Sequence, residues 1–246
     1  MWQKERLLNI GIRALPSSCA AVAVLDSDIV FENEDWPTEV ERLLGDRPVI
    51  QPYTCVRHLG RDRLPETSEP ADVIVSQTSA AAVIAAGGAP HTVLGPQTGN
   101  GRGAASPGHA WVFRREMLEK HGLFEGSIIG GGDTAVACAS FGDLEAVERR
   151  HEMNERQRAF YRAWAEPWAS EARGRVGVLR GDILHLWHGD LVMRQAAVRH
   201  QRLAPFSFDP AVDISASPGE AWRWASAKPE LHRHVKQYFA DRRDDG

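Results

Sequence analysis

Lysine is scarce in this chain. Of 29 basic residues only Lys4, Lys120, Lys228 and Lys236 are not arginine. Most positive charge therefore sits on planar guanidinium forks that suit carboxylates and phosphates, although a biased base composition produces the same skew. An excess of positive charge is missing too. The net charge of −4 excludes a general electrostatic pull toward nucleic acid or an anionic membrane. Cysteine is limited to Cys19, Cys55 and Cys138, an odd and widely spaced set. That spacing excludes a metal-ligand run and reads as reduced, partly buried thiols of a cytoplasmic protein. No apolar run approaches a membrane span, and the N-terminus lacks a signal-peptide core. Internal repeats and low-complexity tracts are absent as well. What remains is ordinary: 246 residues, 43% hydrophobic and 25% charged, enough for a substantial core in one large domain or two small ones.

The most informative stretch is Val22-Ala23-Val24-Leu25-Asp26-Ser27-Asp28-Ile29-Val30-Phe31. Its continuous apolar run predicts a buried strand of a parallel sheet, covered by helices on both faces. Asp26 and Asp28 then stand at the carboxyl end, where open α/β sheets place their ligands. Two carboxylates this close repel unless something positive lies between them, usually a hard cation such as Mg or Mn. Asp and Ser also favour turns, but the apolar run resumes at Ile29 and argues for a continuing strand.

Along the rest of the chain, Trp2–Leu15 reads as an amphipathic helix with Leu7, Leu8, Ile10, Ile12 and Leu15 on its apolar face. Pro37 opens a helix to Leu44, and prolines bound a short strand over Pro48–Tyr53, at an edge or ending early. Arg57–Pro70 reads as an exposed loop, Ser76–Ala86 as an alanine-rich helix, and His91–Gly108 as a glycine-rich loop matching no phosphate-binding fingerprint. Ala110–Phe113 is a strand, followed by a helix that Gly122 ends. After Gly130-Gly131-Gly132, Asp133 is a natural N-cap for a small-residue helix over Thr134–Ser140, and glycines beside a carboxylate also let a substrate approach. Leu144–Arg173 reads as one long helix that Pro167 kinks or interrupts. Val176–Leu179 and Ile183–Trp187 read as strands about a Gly181-Asp182 turn. His185 and His188 point to opposite faces if they lie on a strand; only a turn or helix brings them together on one metal. Met193–Leu203 and Trp222–Tyr238 read as helical, the latter interrupted at Pro229, and Asp241–Gly246 as a fraying end.

Leu25-Asp26-Ser27-Asp28-Ile29 has the form of a DxD motif. Gly108–Glu116, Gly122–Glu125 and Gly130–Asp133 form a glycine-rich segment ending in an acid, and His185-Leu186-Trp187-His188-Gly189 follows. In this order, over roughly residues 4–205, the pieces resemble glycosyltransferases of the GT-A fold, especially the family 2-like enzymes and the galactosyltransferase C-terminal region.

The resemblance implies an α/β fold, a GT-A-like mixed sheet flanked by helices, in one domain over 1–246. Residues 1–90 would hold the remainder of the nucleotide-binding half with the DxD, 91–205 the acceptor and metal-histidine half, and 206–246 a C-terminal helical extension. The family's opening βαβ half is not in the chain, so it reads as N-terminally truncated, with a partner or a missing segment completing the sheet. The activity implied is metal-dependent transfer of a sugar from a nucleotide-diphosphate donor to a glycan or other hydroxyl acceptor, in bacterial glycan or polysaccharide synthesis. A Mn or Mg ion would be held by Asp28 and His188, with Asp26 and His185 as further candidates. Asp26 would also reach the nucleotide, Arg194 would assist at the phosphates, and Asp133 would be the base if the reaction inverts. Gly-Gly-Gly-Asp replaces the family's frequent Glu-Asp pair, leaving a single candidate carboxylate. Two alternatives stand beside this. One is a haloacid-dehalogenase-like phosphatase with Asp26 as nucleophile, Asp28 as general acid and Asp133 as metal ligand; the other is a truncated, non-catalytic domain binding sugar or a partner.

Overall fold

The computed structural model describes residues 1–96 and 105–242. The elements are α1 (Lys4–Ala14), β1 (Ala21–Leu25), β2 (Ile29–Phe31), α2 (Trp36–Leu44), β3 (Val49–Gln51), β4 (Cys55–Leu59), β5 (Val73–Ser79), α3 (Ala80–Ala85) and α4 (Pro90–Leu94). There follow β6 (Ala105–Ser106), β7 (Ala110–Arg114), α5 (Arg115–His121), α6 (Gly132–Phe141), α7 (Leu144–Arg150), α8 (Glu155–Ala172), β8 (Val176–Val178) and β9 (Asp182–His185). The C-terminal part holds α9 (Arg199–Leu203), α10 (Pro210–Asp213), β10 (Ile214–Ser215), β11 (Arg223–Trp224) and α11 (Pro229–Arg242). The architecture is α/β, with mixed sheets flanked by helices. No helix among the described residues is long and apolar enough to cross a membrane.

Of three sheets among the described residues, the first runs β1-β7-β3-β8, the second β2-β9-β4-β5-β6, and the third pairs β10 with β11. In the first, β7 is antiparallel to both β1 and β3, while β3 and β8 are parallel. In the second, β9 is antiparallel to β2 and parallel to β4. The chain crosses between these two sheets five times, once through α2 and four times by short links: Asp26–Asp28, Pro52–Thr54, Pro107–His109 and Leu179–Gly181. The short links meet at a seam tied by backbone hydrogen bonds. Asp26 N donates to His109 O at 2.8 Å, Thr54 N to Gly181 O at 2.7 Å and Leu186 N to Asp28 O at 2.8 Å. The buried Tyr53 hydroxyl donates to Gly108 O at 2.8 Å.

Val22, Val24, Trp111 and Phe113 bury one face of the first sheet against Met117 of α5, Val136 of α6, and Tyr161 and Trp168 of α8. Val40 and Leu44 of α2 cover the opposite face over Ile50 and Val112. A separate cluster joins Ile128 and Ile129 to Leu203, Phe208, Ile214, Leu231 and Val235. The segment just before Gly130 is thereby anchored in the C-terminal packing, while the segment after it enters α6.

Several expectations are corrected. β1 is an antiparallel edge strand with alternating burial, because alanines at every second position leave little apolar area to cover. Asp26-Ser27-Asp28 is a turn, and β2 belongs to the second sheet. β3 is interior, not an edge: its three paired residues lie between the prolines, so no ladder donor is lost. Arg57–Leu59 and Ser76–Ser79 are strand, and α3 starts only where the Ser79 side chain caps Ala82 N at 3.2 Å. β8 and β9 form no hairpin, since Leu179–Gly181 carries the chain between sheets. Leu144–Arg173 is two helices; Asn154 caps the second, which runs on through Pro167. Arg223–Trp224 pairs with β10, so helix begins only at Pro229. α1 turns a polar face inward: Glu5, Arg6 and Asn9 are buried while Leu7 is 52% exposed. Asn9 exchanges hydrogen bonds with the Leu123 backbone, and Arg6 pairs with Glu125 at 3.0 Å. Gly99, Gly101 and Gly103 of the glycine-rich stretch, and the last four residues of the expected fraying end, lie outside the described residues.

Candidate functional site

The seam opens into a cavity of about 550 Å³. β9 ends at His185, and the following turn, with Gly189 at φ +96°, brings His188 back toward it. Asp28, from the β1–β2 crossing, faces both rings: Oδ2 lies 2.6 Å from His188 Nε2 and 3.6 Å from His185 Nε2. The ligand atoms of the three residues fall within 4.8 Å of one another and could hold one metal ion. Burial opposes ionisation of Asp28, but the His188 hydrogen bond and the closeness of both rings outweigh it and hold the carboxyl at about 2. Burial pushes His185 down to about 4, so its ring is neutral with a lone pair to give. Arg194 Nη2 also contacts His188 Nε2. One ring nitrogen cannot donate to Asp28 and accept from Arg194 at once. A cation taking the ring lone pair and the carboxylate oxygen together would resolve that conflict.

Two further histidines crowd behind the triad. The His58 ring, on β4, lies 4.5 Å from that of His185 and 5.4 Å from that of His109, which sits 5.0 Å from His185. Both nitrogens of His58, His109 Nδ1 and Asp28 Oδ1 are buried without hydrogen-bond partners. Burial pushes His58 down to about 3 and His109 well below the usual range. This wall is thus rich in neutral nitrogen donors.

The other wall centres on Lys4, in the first turn of α1. Its Nζ lies 2.7 Å from Asp26 Oδ1 and 3.3 Å from both oxygens of Asp133. Burial works against the ammonium, but Asp133 and Asp26 outweigh it and raise its pKa. Burial likewise raises Asp26, with Lys4 opposing. Glu5, buried behind Asp133, is raised to about 7, first by burial and then by the Asp133 charge. Each glycine before Asp133 makes room for a polar group. A Cβ on Gly130 would meet the Arg199 guanidinium, on Gly131 the rings of His151 and His200, and on Gly132 the Glu5 carboxylate. Gly130 and Gly131 also hold φ of +84° and +98°, open to glycine at little cost.

Searches against protein-family models, curated proteins and solved structures each returned no match.

Asp28, His185 and His188 come together as one group. His185 is as much a part of it as His188, because the strand ends at the first ring and the turn returns the second. Asp26 stands apart, engaged by Lys4, with its other oxygen 3.7 Å from His109 Nδ1. The repulsion within the DxD is thus relieved by a lysine on one carboxylate and a histidine on the other. Asp133 is not the N-cap of α6, since Gly131 holds that position and Asp133 faces the cavity from the first turn. Arg194 lines the cavity beside His188. Sequence patterning missed Lys4, His58 and His109. Only the rarity of lysine marked the first, and nothing distinguished His58 from a polar loop residue.

Proposed function

We propose that this chain is a metal-dependent glycosyltransferase, moving a sugar from a nucleotide-diphosphate donor to an acceptor hydroxyl. The observation that carries the proposal is that one cavity holds an Asp28–His185–His188 group on one wall and Asp133 on the other. A divalent cation bound there would neutralise charge developing on the leaving diphosphate without needing a proton. Two imidazoles and one carboxylate suit Mn better than Mg, which prefers oxygen ligands. The chain's own residues supply the rest. Asp133 accepts the proton of the acceptor hydroxyl as its oxygen bonds to the anomeric carbon. The anomeric carbon–oxygen bond to the diphosphate breaks, and that electron pair leaves with the nucleoside diphosphate. Lys4 then remains paired with Asp26, so the three groups pass from one net negative charge to none. Arg194, which contacts His188, would assist at the phosphates.

The phosphatase alternative fits the geometry less well. Its nucleophile, Asp26, is engaged by Lys4 at 2.7 Å. Its general acid, Asp28, is held at about 2, the wrong state for a proton donor at neutral pH.

Calorimetric titration tests the proposal, using Mn, Mg and Fe(II) with a nucleoside diphosphate present, on wild type, Asp28→Ala, His185→Ala and His188→Ala. Iron is included because two histidines and a carboxylate also serve non-haem iron. All three substitutions are expected to weaken Mn binding at least tenfold. Asp133→Asn is expected to keep the metal and the fold while donor turnover falls by about 10²–10⁴. Unchanged Mn affinity in Asp28→Ala overturns the mechanism. Full nucleotide and metal binding with no turnover on any acceptor would favour the non-catalytic binding domain.

A further inference from the structure

The cavity has a basic end that the transfer chemistry leaves unused. Arg150, closing α7, and Arg199, opening α9, both line it, and the charge of each is felt by the other. The Arg199 guanidinium lies against Gly130, where a Cβ would stand 3.3 Å from Nη1 and 3.5 Å from Cζ. Its polar contacts are neutral and long, at 3.4 Å to His200 Nε2 and 3.4 Å to the Tyr238 hydroxyl. Arg150 gives one hydrogen bond to the Leu94 carbonyl at 3.2 Å. Among the described residues no carboxylate lies within ion-pairing distance of either guanidinium. The cavity's own acids are engaged elsewhere, Asp26 and Asp133 by Lys4 and Asp28 by His188.

Behind the pair, His151 and His200 stack with ring centroids 3.7 Å apart and planes 10° from parallel. Burial keeps both rings neutral, so they offer no counter-charge. Burial first, and then the neighbouring Arg199 charge, lowers Arg150 to about 10. Two part-buried guanidiniums without a counter-ion are costly, and an oxyanion gripped by both forks removes the cost.

The geometry points to an oxyanion on the acceptor: the molecule presenting its hydroxyl to Asp133 carries a carboxylate, sulfate or phosphate group bound by Arg150 and Arg199 at Gly130. Gly130 lies three residues before Asp133, whereas the donor diphosphate belongs at the Asp28–His185–His188 wall with Arg194. Naming the ligand an acceptor rests on the transferase proposal; anion binding at the arginine pair does not.

The test is calorimetry on metal-free protein in EDTA at constant ionic strength. Methyl β-D-glucuronide is compared with methyl β-D-glucoside, which lacks only the carboxylate, and sodium sulfate serves as competitor. The glucuronide is expected to bind at least tenfold tighter, with sulfate competing. That advantage should vanish in Arg150→Gln and Arg199→Gln and return in part in Arg199→Lys, which keeps the charge. Equal affinity for the two glycosides, or an advantage surviving both Gln substitutions, overturns the inference. A second arm measures uridine and guanosine diphosphate binding with Mn, expected to stay within twofold in the same variants. A tenfold loss there would assign the arginines to the donor and overturn the acceptor assignment. The first arm uses neither metal nor nucleotide, so it stands or falls separately from the Asp28→Ala result.

Discussion

Five imidazoles, buried at His58, His151 and His185 and half-buried at His109 and His200, are neutral, and folding should therefore be unusually sensitive to acid. Burial is the first cause for each; it puts His58 at about 3 and His185 at about 4 and holds the others well below the usual range. In the unfolded chain each titrates near about 6.5. Between the two values the unfolded chain binds a proton that the native chain refuses. The stability is fully present above about pH 6.5 and is lost as pH falls toward the folded values. Two carboxyls act in the opposite direction. Glu5, raised to about 7, is protonated in the native chain before the unfolded one and stabilises it on the same descent. Asp26, also raised by burial, does likewise. Near pH 5.5 the unfolded chain should bind roughly three more protons than the native one, a slope of about 4 kcal/mol per pH unit. An ordinary stability of about 5–15 kcal/mol would be largely consumed within about two to three units. The assay is urea unfolding followed by tryptophan fluorescence, in EDTA, in buffers from about pH 7.5 down to about pH 4.5. His58→Leu should flatten the slope by about 1.2 kcal/mol per unit, one ring's share near pH 5.5. A wild-type slope at or below about 1.4 kcal/mol per unit, the uptake of a single proton, would refute the reasoning.

Lys4→Met leaves Asp26 and Asp133 without their cation beside the buried Glu5. At pH 7 it should cost about 3–5 kcal/mol, and less at pH 5 as Glu5 and Asp26, both raised by burial, take up protons, in the same urea assay. An equal loss at both pH values would mean that Lys4 matters for packing and not for charge. Gly131→Ala meets a strained φ of +98° and the rings of His151 and His200. Gly142→Ala meets a similar φ of +78° with nothing within 4 Å. The first should cost more than the second by about 1–3 kcal/mol in thermal unfolding; equal costs would show that the stacked rings yield freely.

The parts of the fold legible in sequence are those where local chemistry and tertiary burial agree. Ala110–Phe113 is fully buried in an interior strand, so its apolar run means what it suggests, and Gly122 takes the positive φ that ends α5. β4 and β5 were hidden because they do not agree. Arg57 and His58 read as loop residues, yet Arg57 pairs at the surface with Asp182 on the next strand, at 2.8 Å, while His58 points into the seam. The alanines of α3 have helix propensity strong enough to draw Ser76–Ser79 into the same pattern, and tertiary pairing overrode it. α1 shows a deeper limit. Periodicity separates a polar from an apolar face, but here hydrogen bonds to Leu123 and Glu125 drew the polar one inward.

The site was half legible for a related reason. The DxD spacing marks where charge collects without saying what neutralises it. Asp26 and Asp28 leave the turn toward different walls, one to a lysine at the chain's start and the other to histidines at the end of a strand in the second sheet. Neither partner is near in sequence, and the contacts exist only because four short links between sheets converge. This has a consequence for the proposed chemistry. Asp26 is already paired with Lys4 and Asp28 hydrogen-bonded by His188, so folding does not require a bound ion to separate the carboxylates. Metal-free protein in EDTA should then still unfold cooperatively in urea, with added Mn raising the midpoint only by the mass-action amount set by its affinity, while EDTA abolishes diphosphate-dependent turnover. A metal requirement of that kind would belong to the transfer step and not to the scaffold.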